Sequence, residues 1–376
     1  MRRRRALLAG VVALLLLAVA LPPTLRHLRA AGVLLEVVQL EDPTGLTGLV
    51  STEVEESEGS LRVGDRTLRF LRYRPEGRAS PPVALLLHGV HPEGIDERRL
   101  RAFARAVAGA GVEVVTPELP ELARYEIVPS TLEDIRACAH AFAPPDGGRI
   151  GAFGISFAGG LLLMAAANGS QPAPLDYVVA VGAHHSLERL SRFYAGKPVK
   201  GPGGRSAPGN PHPYGARVIA YAHAEHFFSP ADVAIARQAM QHYLGQRYRQ
   251  ARATLESLSP AGRERMAMML DNDRKGELGK LLLSAVARNR EALAEVSPEG
   301  QLAGLRVPTF LVHGAADPVI PSIETRWLAT EVPSGQLRET LITPVLGHTD
   351  FTNTLPLSDY WRILRVMAGI LGEAED

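Results

Sequence analysis

The 376-residue sequence predicts an α/β protein with a doubly wound, mostly parallel sheet and a helical insertion. Short apolar runs alternate with stretches of helical spacing over two parts of the chain, 34–186 and 304–376. Between residues 187 and 303 the alternation stops and only helical patterns occur. Apolar residues make up 46% of the chain and charged residues 22%, a composition typical of a folded protein with a large core.

The N-terminal segment, residues 1–23, has the pattern of an export signal. Four arginines at residues 2–5 precede an unbroken apolar run over residues 6–21, and two prolines follow. As a helix such a run would measure roughly 24 Å, against about 30 Å for the hydrocarbon core of a bilayer. The segment is therefore either a retained membrane anchor or a signal cleaved after Ala18-Val19-Ala20. In both cases we expect the rest of the chain outside the cytoplasm, membrane-anchored, periplasmic or secreted.

The first part of the core begins with a strand-like pattern over residues 34–73. Alternating apolar positions predict a hairpin over residues 60–73, with Gly64-Asp65 at the turn. Strands and helices then alternate, as parallel βαβ units require. The predicted strands cover residues 83–87, 112–115, 149–155 and 177–182, and the predicted helices cover residues 97–108, 131–142 and 157–167.

The insertion opens with a loop and continues with helices. Residues 196–215 are rich in glycine and proline, which predicts a loop. Three Ser-Pro pairs, at residues 229, 259 and 297, predict helix starts, because serine caps the first amides and proline fixes the entry dihedral. Strands at residues 309–313 and 339–343 then resume the core. The insertion is expected to form a cap or lid over the sheet.

Charge and cysteine content exclude several classes of protein. Lysine and arginine number 41 against 40 acidic residues, and the four N-terminal arginines account for that excess. No basic field remains to hold phosphates, so we expect no nucleic-acid partner. The single cysteine, Cys138, excludes an internal disulfide and a cysteine-rich metal site.

Residues 150–160 carry the strongest local motif: an apolar strand, a serine between small residues, and a helix. A serine at such a tight turn has a strained backbone and a projecting hydroxyl, and it requires small residues two positions before and after it. Gly154 and Ala158 meet that requirement. The helix dipole favours negative charge at the turn. Ser156 is the predicted nucleophile; the alternative is a serine that only caps the helix.

The strand at residues 83–87 leads into His88-Gly89-Val90, a candidate oxyanion loop. The amides of Val90 and Phe157 are the predicted oxyanion donors, and Gly89 lets the substrate approach. His88 precedes the serine, which favours a structural or substrate-contacting histidine over a general base.

Two later strand ends supply the other groups that a serine nucleophile needs. Asp317 follows the strand at residues 309–313 in a proline-held loop, and His348 follows the last strand. The predicted roles are general base for His348 and orienting carboxylate for Asp317, with a turn-capping aspartate as the alternative.

The motifs at Ser156, Asp317 and His348, in this chain order, resemble the nucleophile elbow, acid loop and histidine loop of the α/β-hydrolase superfamily. The resemblance covers about residues 60–186 and 304–372. It implies an α/β-hydrolase fold and a serine hydrolase that needs no cofactor, with a carboxylic ester as the first substrate expectation. Ala158 replaces the usual glycine, and the strand-end motif lacks the glycine run of hormone-sensitive-lipase-like esterases.

Other readings of function and of the remaining histidines stay open. The same residues would serve a peptidase or an acyltransferase, and the scaffold could belong to a non-catalytic, membrane-tethered binding protein. The expected partner is a small acyl substrate, and also the membrane if the N-terminal segment is retained. His184 and His185 follow a strand and are candidates for substrate contact. His223 and His226 lack the spacing of a zinc helix, so no metal site is predicted.

Overall fold

An eight-stranded sheet organises the part of the chain that the computed structural model describes, residues 23–37, 46–169, 173–204, 206–207, 211–271, 274, 276–347 and 357–375. Its strand order is β1-β2-β4-β3-β5-β6-β9-β10. β1 and β2 are antiparallel to their neighbours, and all pairings from β4 through β10 are parallel. The strands are β1 Val54–Val63, β2 Arg66–Pro75, β3 Val83–Leu87, β4 Glu113–Pro117, β5 Ile150–Ile155, β6 Leu175–Val181, β7 Val199–Lys200, β8 Ser206–Ala207, β9 Thr309–Gly314 and β10 Leu337–Thr343.

Helices cover both faces of the sheet, so the predicted doubly wound α/β fold is confirmed. Along the central strand β3, Leu85 and Leu87 pack on one face while Ala84 and Leu86 pack on the other. Such burial on both faces explains why the strand is apolar throughout. The described helices are α1 residues 23–37, α2 Leu46–Val50, α3 Arg98–Gly109, α4 Pro120–Ala123, α5 Ser130–Phe142, α6 Phe157–Ala167, α7 Leu187–Tyr194, α8 Pro213–Ala222, α9 Val233–Leu244, α10 Tyr248–Leu255, α11 Pro260–Asp271, α12 Glu277–Arg288, α13 Arg290–Glu295, α14 Ile323–Glu331 and α15 Leu357–Glu375.

The N-terminal part of the predicted strand region is helical instead. The hairpin is present as β1 and β2, but residues 34–37 belong to α1 and residues 46–50 form α2. In α1 the buried side chains are Ala30, Val33 and Leu34, which recur at helical spacing. The prediction of strand from residue 34 was therefore wrong, because this apolar set belongs to a helix face.

Residues 1–22 of the predicted export segment lie outside the described residues. Residue 23, the last of that segment, is the first residue of α1. Among the helices of the described residues, none combines the length and apolarity needed to cross a membrane.

Helices α7 to α13 lie between β6 and β9, over the range predicted as the insertion. The glycine- and proline-rich stretch contains a short antiparallel pair, β7 with β8, which the sequence analysis did not predict. Of the three Ser-Pro pairs, Ser259 caps α11, where its hydroxyl accepts a hydrogen bond from Gly262. Ser229 lies four residues before α9. Ser297 opens no helix, and its hydroxyl instead accepts from the amide of Leu187, the first residue of α7. The helix starts predicted at these two serines were therefore wrong.

A buried carboxylate fastens the start of the insertion to the core. Glu324 of α14 is fully buried and accepts hydrogen bonds from the backbone amides of His185 and Ser186 at 2.9 Å. The guanidinium of Arg189 donates to the same carboxylate at 2.7 and 3.0 Å. Because a buried charge is stable only when it is fully paired, these contacts hold the first turn of α7 against α14.

Candidate active site

Ser156 occupies a strained turn between β5 and α6. Its backbone has φ 58° and ψ −128°, a conformation that non-glycine residues rarely adopt. The turn forces the backbones together: a Cβ on Gly154 would lie 2.6 Å from the Cα of Gly159. Ser156 is 5% exposed. This geometry is that of a nucleophile elbow, in which only glycine fits at position 154.

Two backbone amides are available beside this serine. A Cβ on Gly89 would lie 3.1 Å from the Cβ of Ser156, so the loop after β3 passes directly against it. Among the described residues, the amides of Val90 and Phe157 donate no backbone hydrogen bond. Phe157 opens α6, where the helix dipole adds positive potential. Unpaired N–H groups in this position are able to bind an oxyanion.

His88 is locked between two backbone groups. Its Nε2 accepts from the amide of Leu119 at 2.9 Å, and its Nδ1 therefore carries the proton that is donated to the Gly89 carbonyl at 2.7 Å. Burial lowers the pKa of His88 to about 4. Both ring nitrogens are thus occupied in a neutral ring, which fits the structural role and leaves the substrate contact predicted for His88 without support.

Asp317 lies in the loop after β9 with an oriented carboxylate. Its Oδ1 accepts from the amides of Val319 and Ile320 at 2.8 and 2.9 Å. Its Oδ2 lies 3.4 Å from Nε2 of His313, which donates to the Ile320 carbonyl at 2.8 Å. The other nitrogen of that ring contacts the Thr325 hydroxyl at 2.5 Å. Both oxygens of this buried carboxylate are therefore in contact with neighbouring groups, and these contacts fix its orientation, as a carboxylate that orients a histidine requires.

The strand ends place these groups along one edge of the sheet. β5, β6 and β9 are parallel neighbours, so Ser156 and Asp317 follow strands separated only by β6. A Cβ on Gly182, just beyond β6, would lie 3.7 Å from Oδ2 of Asp317. The chain after β10 returns to the same edge, since a Cβ on Gly314 would lie 2.3 Å from the Gly347 carbonyl. His348, the next residue, lies outside the described residues.

The insertion also touches this edge. The hydroxyl of Tyr214, in the first turn of α8, donates to the Val90 carbonyl at 2.8 Å. Two residues earlier, the amide of His212 donates to the Pro318 carbonyl at 2.7 Å. The start of α8 therefore contacts both the candidate oxyanion loop and the loop that carries Asp317.

His184 and His185 lie in the interior, and their contacts are structural. Nε2 of His184 donates to the Val296 carbonyl at 2.9 Å, and the ring lies so close to α6 that a Cβ on Gly160 would be 2.4 Å from it. His185 is 1% exposed and contacts Arg189 and Glu331, both at 2.7 Å. Burial and these partners leave the substrate contacts predicted for both histidines without support.

Among the described residues, one group of side chains has the composition of a metal site: His223, Glu225 and His226. Two of its three residues, Glu225 and His226, are already in contact with guanidinium groups. Arg237 donates to Glu225 at 2.6 Å, and Arg288 lies 3.3 Å from a ring nitrogen of His226. Two guanidinium groups at this distance oppose a divalent cation, so the group fits an ion-paired surface better than a metal centre.

Sequence reasoning missed two residues of the site. His313, beside Asp317, was read only as the end of a strand, although a fully buried histidine in an apolar strand is a signal of a polar network. Tyr214 lies 124 residues from Val90 in the chain, and no local pattern links them.

The sequence profile of the X-Pro dipeptidyl-peptidase (S15) family matches residues 135–349, which is 215 of the 376 residues. None of the curated proteins matches the chain.

Several solved structures are similar in fold. A Bacteroides ovatus protein assigned as a dipeptidyl aminopeptidase IV is 12% identical, with a TM-score of 0.49, 86% of this chain covered and 36% of the other. An acylaminoacyl peptidase of Pyrococcus horikoshii is 14% identical, with a TM-score of 0.45, 82% of this chain covered and 40% of the other. The chain thus spans well under half the length of these two peptidases. A bacterial membrane phospholipase A is 18% identical, with a TM-score of 0.44 and both chains covered completely.

The observed sheet order and the elbow agree with the superfamily that the motifs indicate. Together with the profile match over more than half of the sequence, they identify the chain as an α/β-hydrolase that belongs to the X-Pro dipeptidyl-peptidase (S15) family of serine hydrolases.

Proposed function

We propose that this chain hydrolyses carboxylic esters through an acyl-enzyme on Ser156. The observation that carries the proposal is the strained, buried serine at the end of β5, one strand removed from a carboxylate whose Oδ1 is held by two amides. An ester needs no more than a nucleophile, a base and an oxyanion site, because an alkoxide leaves more easily than an amide nitrogen.

In the proposed reaction, Ser156 Oγ attacks the acyl carbon while His348 takes its proton. The amides of Val90 and Phe157 receive the oxyanion, and the imidazolium then protonates the departing alkoxide. Water attacks the acyl-enzyme in the second half, again with His348 as base, and Ser156 recovers its proton as the acid departs. Asp317 holds the imidazole in the reactive tautomer and stabilises its charged form.

The proposed nucleophile is tested with a fluorophosphonate probe. We expect the wild-type protein to be labelled and Ser156→Ala not to be labelled. Ser191→Ala is the matched control, because Ser191 is also 5% exposed but lies on α7 in the insertion. Labelling that persists in Ser156→Ala would remove Ser156 from the mechanism. A folded wild type that is never labelled would favour the non-catalytic binding protein.

A second candidate function is cleavage of peptides after an X-Pro pair, which the S15 profile match favours. An enzyme that releases dipeptides must hold the free ammonium of its substrate, for which a carboxylate is the natural partner. Glu118 follows β4 on the same edge of the sheet. A Cβ on Gly94 would lie 3.1 Å from Oε1 of Glu118 and 3.7 Å from Nε2 of His88, so the Glu118 carboxylate and the His88 ring flank the same point. Burial raises the pKa of Glu118, as expected for a carboxylate set into the protein.

The two functions are separated by chromogenic substrates of the two classes. p-Nitrophenyl esters of graded acyl length are compared with Ala-Pro-p-nitroanilide, and we expect turnover of the esters but no measurable cleavage of the anilide. Measurable cleavage of the anilide by the wild type, together with a raised KM for it in Glu118→Gln, would replace the esterase by a dipeptidyl peptidase. Glu126→Gln is the control, since its side chain is 43% exposed and lies 3.7 Å from Arg124, whereas Glu118 lies 3.8 Å from Arg69.

A further inference from the structure

We propose that Tyr214 is a positioning residue through which the insertion fixes the oxyanion loop. The inference rests on the proposed function, in which the Val90 amide receives the oxyanion. Tyr214 is the first described tyrosine of α8, and its hydroxyl donates to the Val90 carbonyl at 2.8 Å.

Two peptide groups lie on either side of the Val90 Cα. The preceding peptide contains the Gly89 carbonyl and the Val90 amide, and His88 donates to that carbonyl at 2.7 Å. A trans peptide is planar, so the Val90 N–H must point away from the carbonyl that His88 holds. The following peptide begins with the Val90 carbonyl, which Tyr214 holds. Because each of these peptides is held by a hydrogen bond, both backbone dihedrals of Val90 are restrained.

The two anchors come from different parts of the molecule. His88 belongs to the core, and its ring is in turn held by the amide of Leu119. Tyr214 belongs to the insertion, and the residue that caps its helix, His212, donates through its backbone to the Pro318 carbonyl beside Asp317. The start of α8 therefore bridges the two loops on either side of Ser156. Burial raises the pKa of Tyr214 far above its usual value, so the phenol remains a donor over the range of any assay.

Loss of the Tyr214 hydroxyl should loosen the Val90 amide without removing it. Deleting an oxyanion donor outright lowers kcat by about 10²–10³-fold, so a donor that is present but less well placed should lower kcat by about 10-fold. The effect should appear in kcat and not in KM, because the oxyanion exists only after attack.

The test measures Tyr214→Phe with a p-nitrophenyl ester and with the fluorophosphonate probe, alongside the melting temperature. We expect kcat and the rate of labelling to fall together by about 10-fold while KM changes by less than about twofold. Tyr221→Phe is the matched control, because Tyr221 lies on the same helix and its ring packs against Tyr125 at 5.7 Å. Replacing Tyr214 with 3-fluorotyrosine, which keeps ring and hydroxyl, should restore the wild-type rates.

Each outcome decides the proposal. A Tyr214→Phe protein with wild-type kcat overturns it, as does an equal loss in Tyr221→Phe, which would mark a general effect of packing in α8. If Tyr214→Phe does not fold, Tyr214→Met fills the site without a donor, and the same two rates are measured. Labelling of the wild type at Ser156 tests the proposed function separately, so a labelled wild type with an unaffected Tyr214→Phe variant overturns the positioning role alone.

Discussion

Replacing Gly154 by alanine should damage both the stability and the activity of this protein, because no space exists for the added methyl group. The new Cβ would lie 2.6 Å from the Cα of Gly159, 2.7 Å from the carbonyl oxygen of Ala158 and 2.8 Å from the amide nitrogen of Gly159. All three neighbours are backbone atoms of the first turn of α6, so no side chain is able to rotate out of the way.

The size of the effect follows from the distance that must be regained. Ordinary contacts of a Cβ begin at 3.4 Å, so the first turn of α6 must move by roughly 0.8 Å relative to β5. Overpacking of this kind costs about 1–3 kcal/mol in the free energy of unfolding. The same shift displaces Ser156 and the Phe157 amide, and a misplacement of about 1 Å in a catalytic group lowers the rate by about 10²-fold.

Urea denaturation gives the first quantity, and kcat/KM with a p-nitrophenyl ester gives the second. Gly48→Ala is the control, because a Cβ at this exposed position of α2 meets no atom within 4 Å. Alanine there should raise the free energy of unfolding by about 0.5–1 kcal/mol and leave the rate unchanged. A Gly154→Ala protein that is as stable and as active as the wild type would refute the close approach at the elbow.

Three further predictions concern the acid, the buried histidines and the N-terminal segment. Asp317→Asn should leave the melting temperature close to that of the wild type and lower kcat by about 10⁴-fold; Asp176→Asn, at a 51% exposed side chain, is the control, and a normal kcat in Asp317→Asn would exclude Asp317 from the mechanism. Burial lowers the pKa of His88 and of His184 to about 4, so these histidines take up protons at a higher pH in the unfolded chain than in the folded one. The free energy of unfolding should therefore fall as the pH drops from about 6.5 to about 4. Equal urea midpoints at both pH values would contradict this. We also propose that residues 1–21 carry the protein out of the cytoplasm, so that a version lacking them should appear in the cytoplasmic fraction, whereas the same distribution for both versions would contradict the proposal.

Much of the fold could be predicted because its signals are local. Continuous apolar runs predicted the central strands, since β3 is buried on both faces. The Gly64-Asp65 turn predicted the hairpin of β1 and β2. The order of the strands depends on hydrogen bonds between distant segments, and no local pattern encodes it. Residues 34–37 were misread because a short apolar stretch is compatible with both a strand and the buried face of a helix.

In the candidate site too, some residues could be predicted from local patterns and others could not. Ser156, Gly154 and Asp317 could be identified because a strand end and its neighbouring residues define the motif. The outcome at the Ser-Pro pairs shows where such reasoning stops: Ser259 caps a helix, whereas Ser297 is used by the Leu187 amide from another part of the chain. Tyr214 acts on a loop far away in sequence, and only the folded chain brings the two together. The proposed base, His348, lies outside the described residues and stays a prediction.

The buried carboxylate of Glu324 has a practical consequence for chimaeric enzymes. Since it holds residues 185, 186 and 189 at once, these residues behave as part of the core even though the last of them lies inside the range assigned to the insertion. A graft that exchanges substrate preference between relatives should therefore keep the native residues up to and including Arg189. The foreign sequence should begin after that residue. A graft joined before Arg189 would leave the Glu324 carboxylate buried without its cationic partner. Poor expression of such a hybrid would then reflect the loss of Arg189 and say nothing about the transplanted specificity.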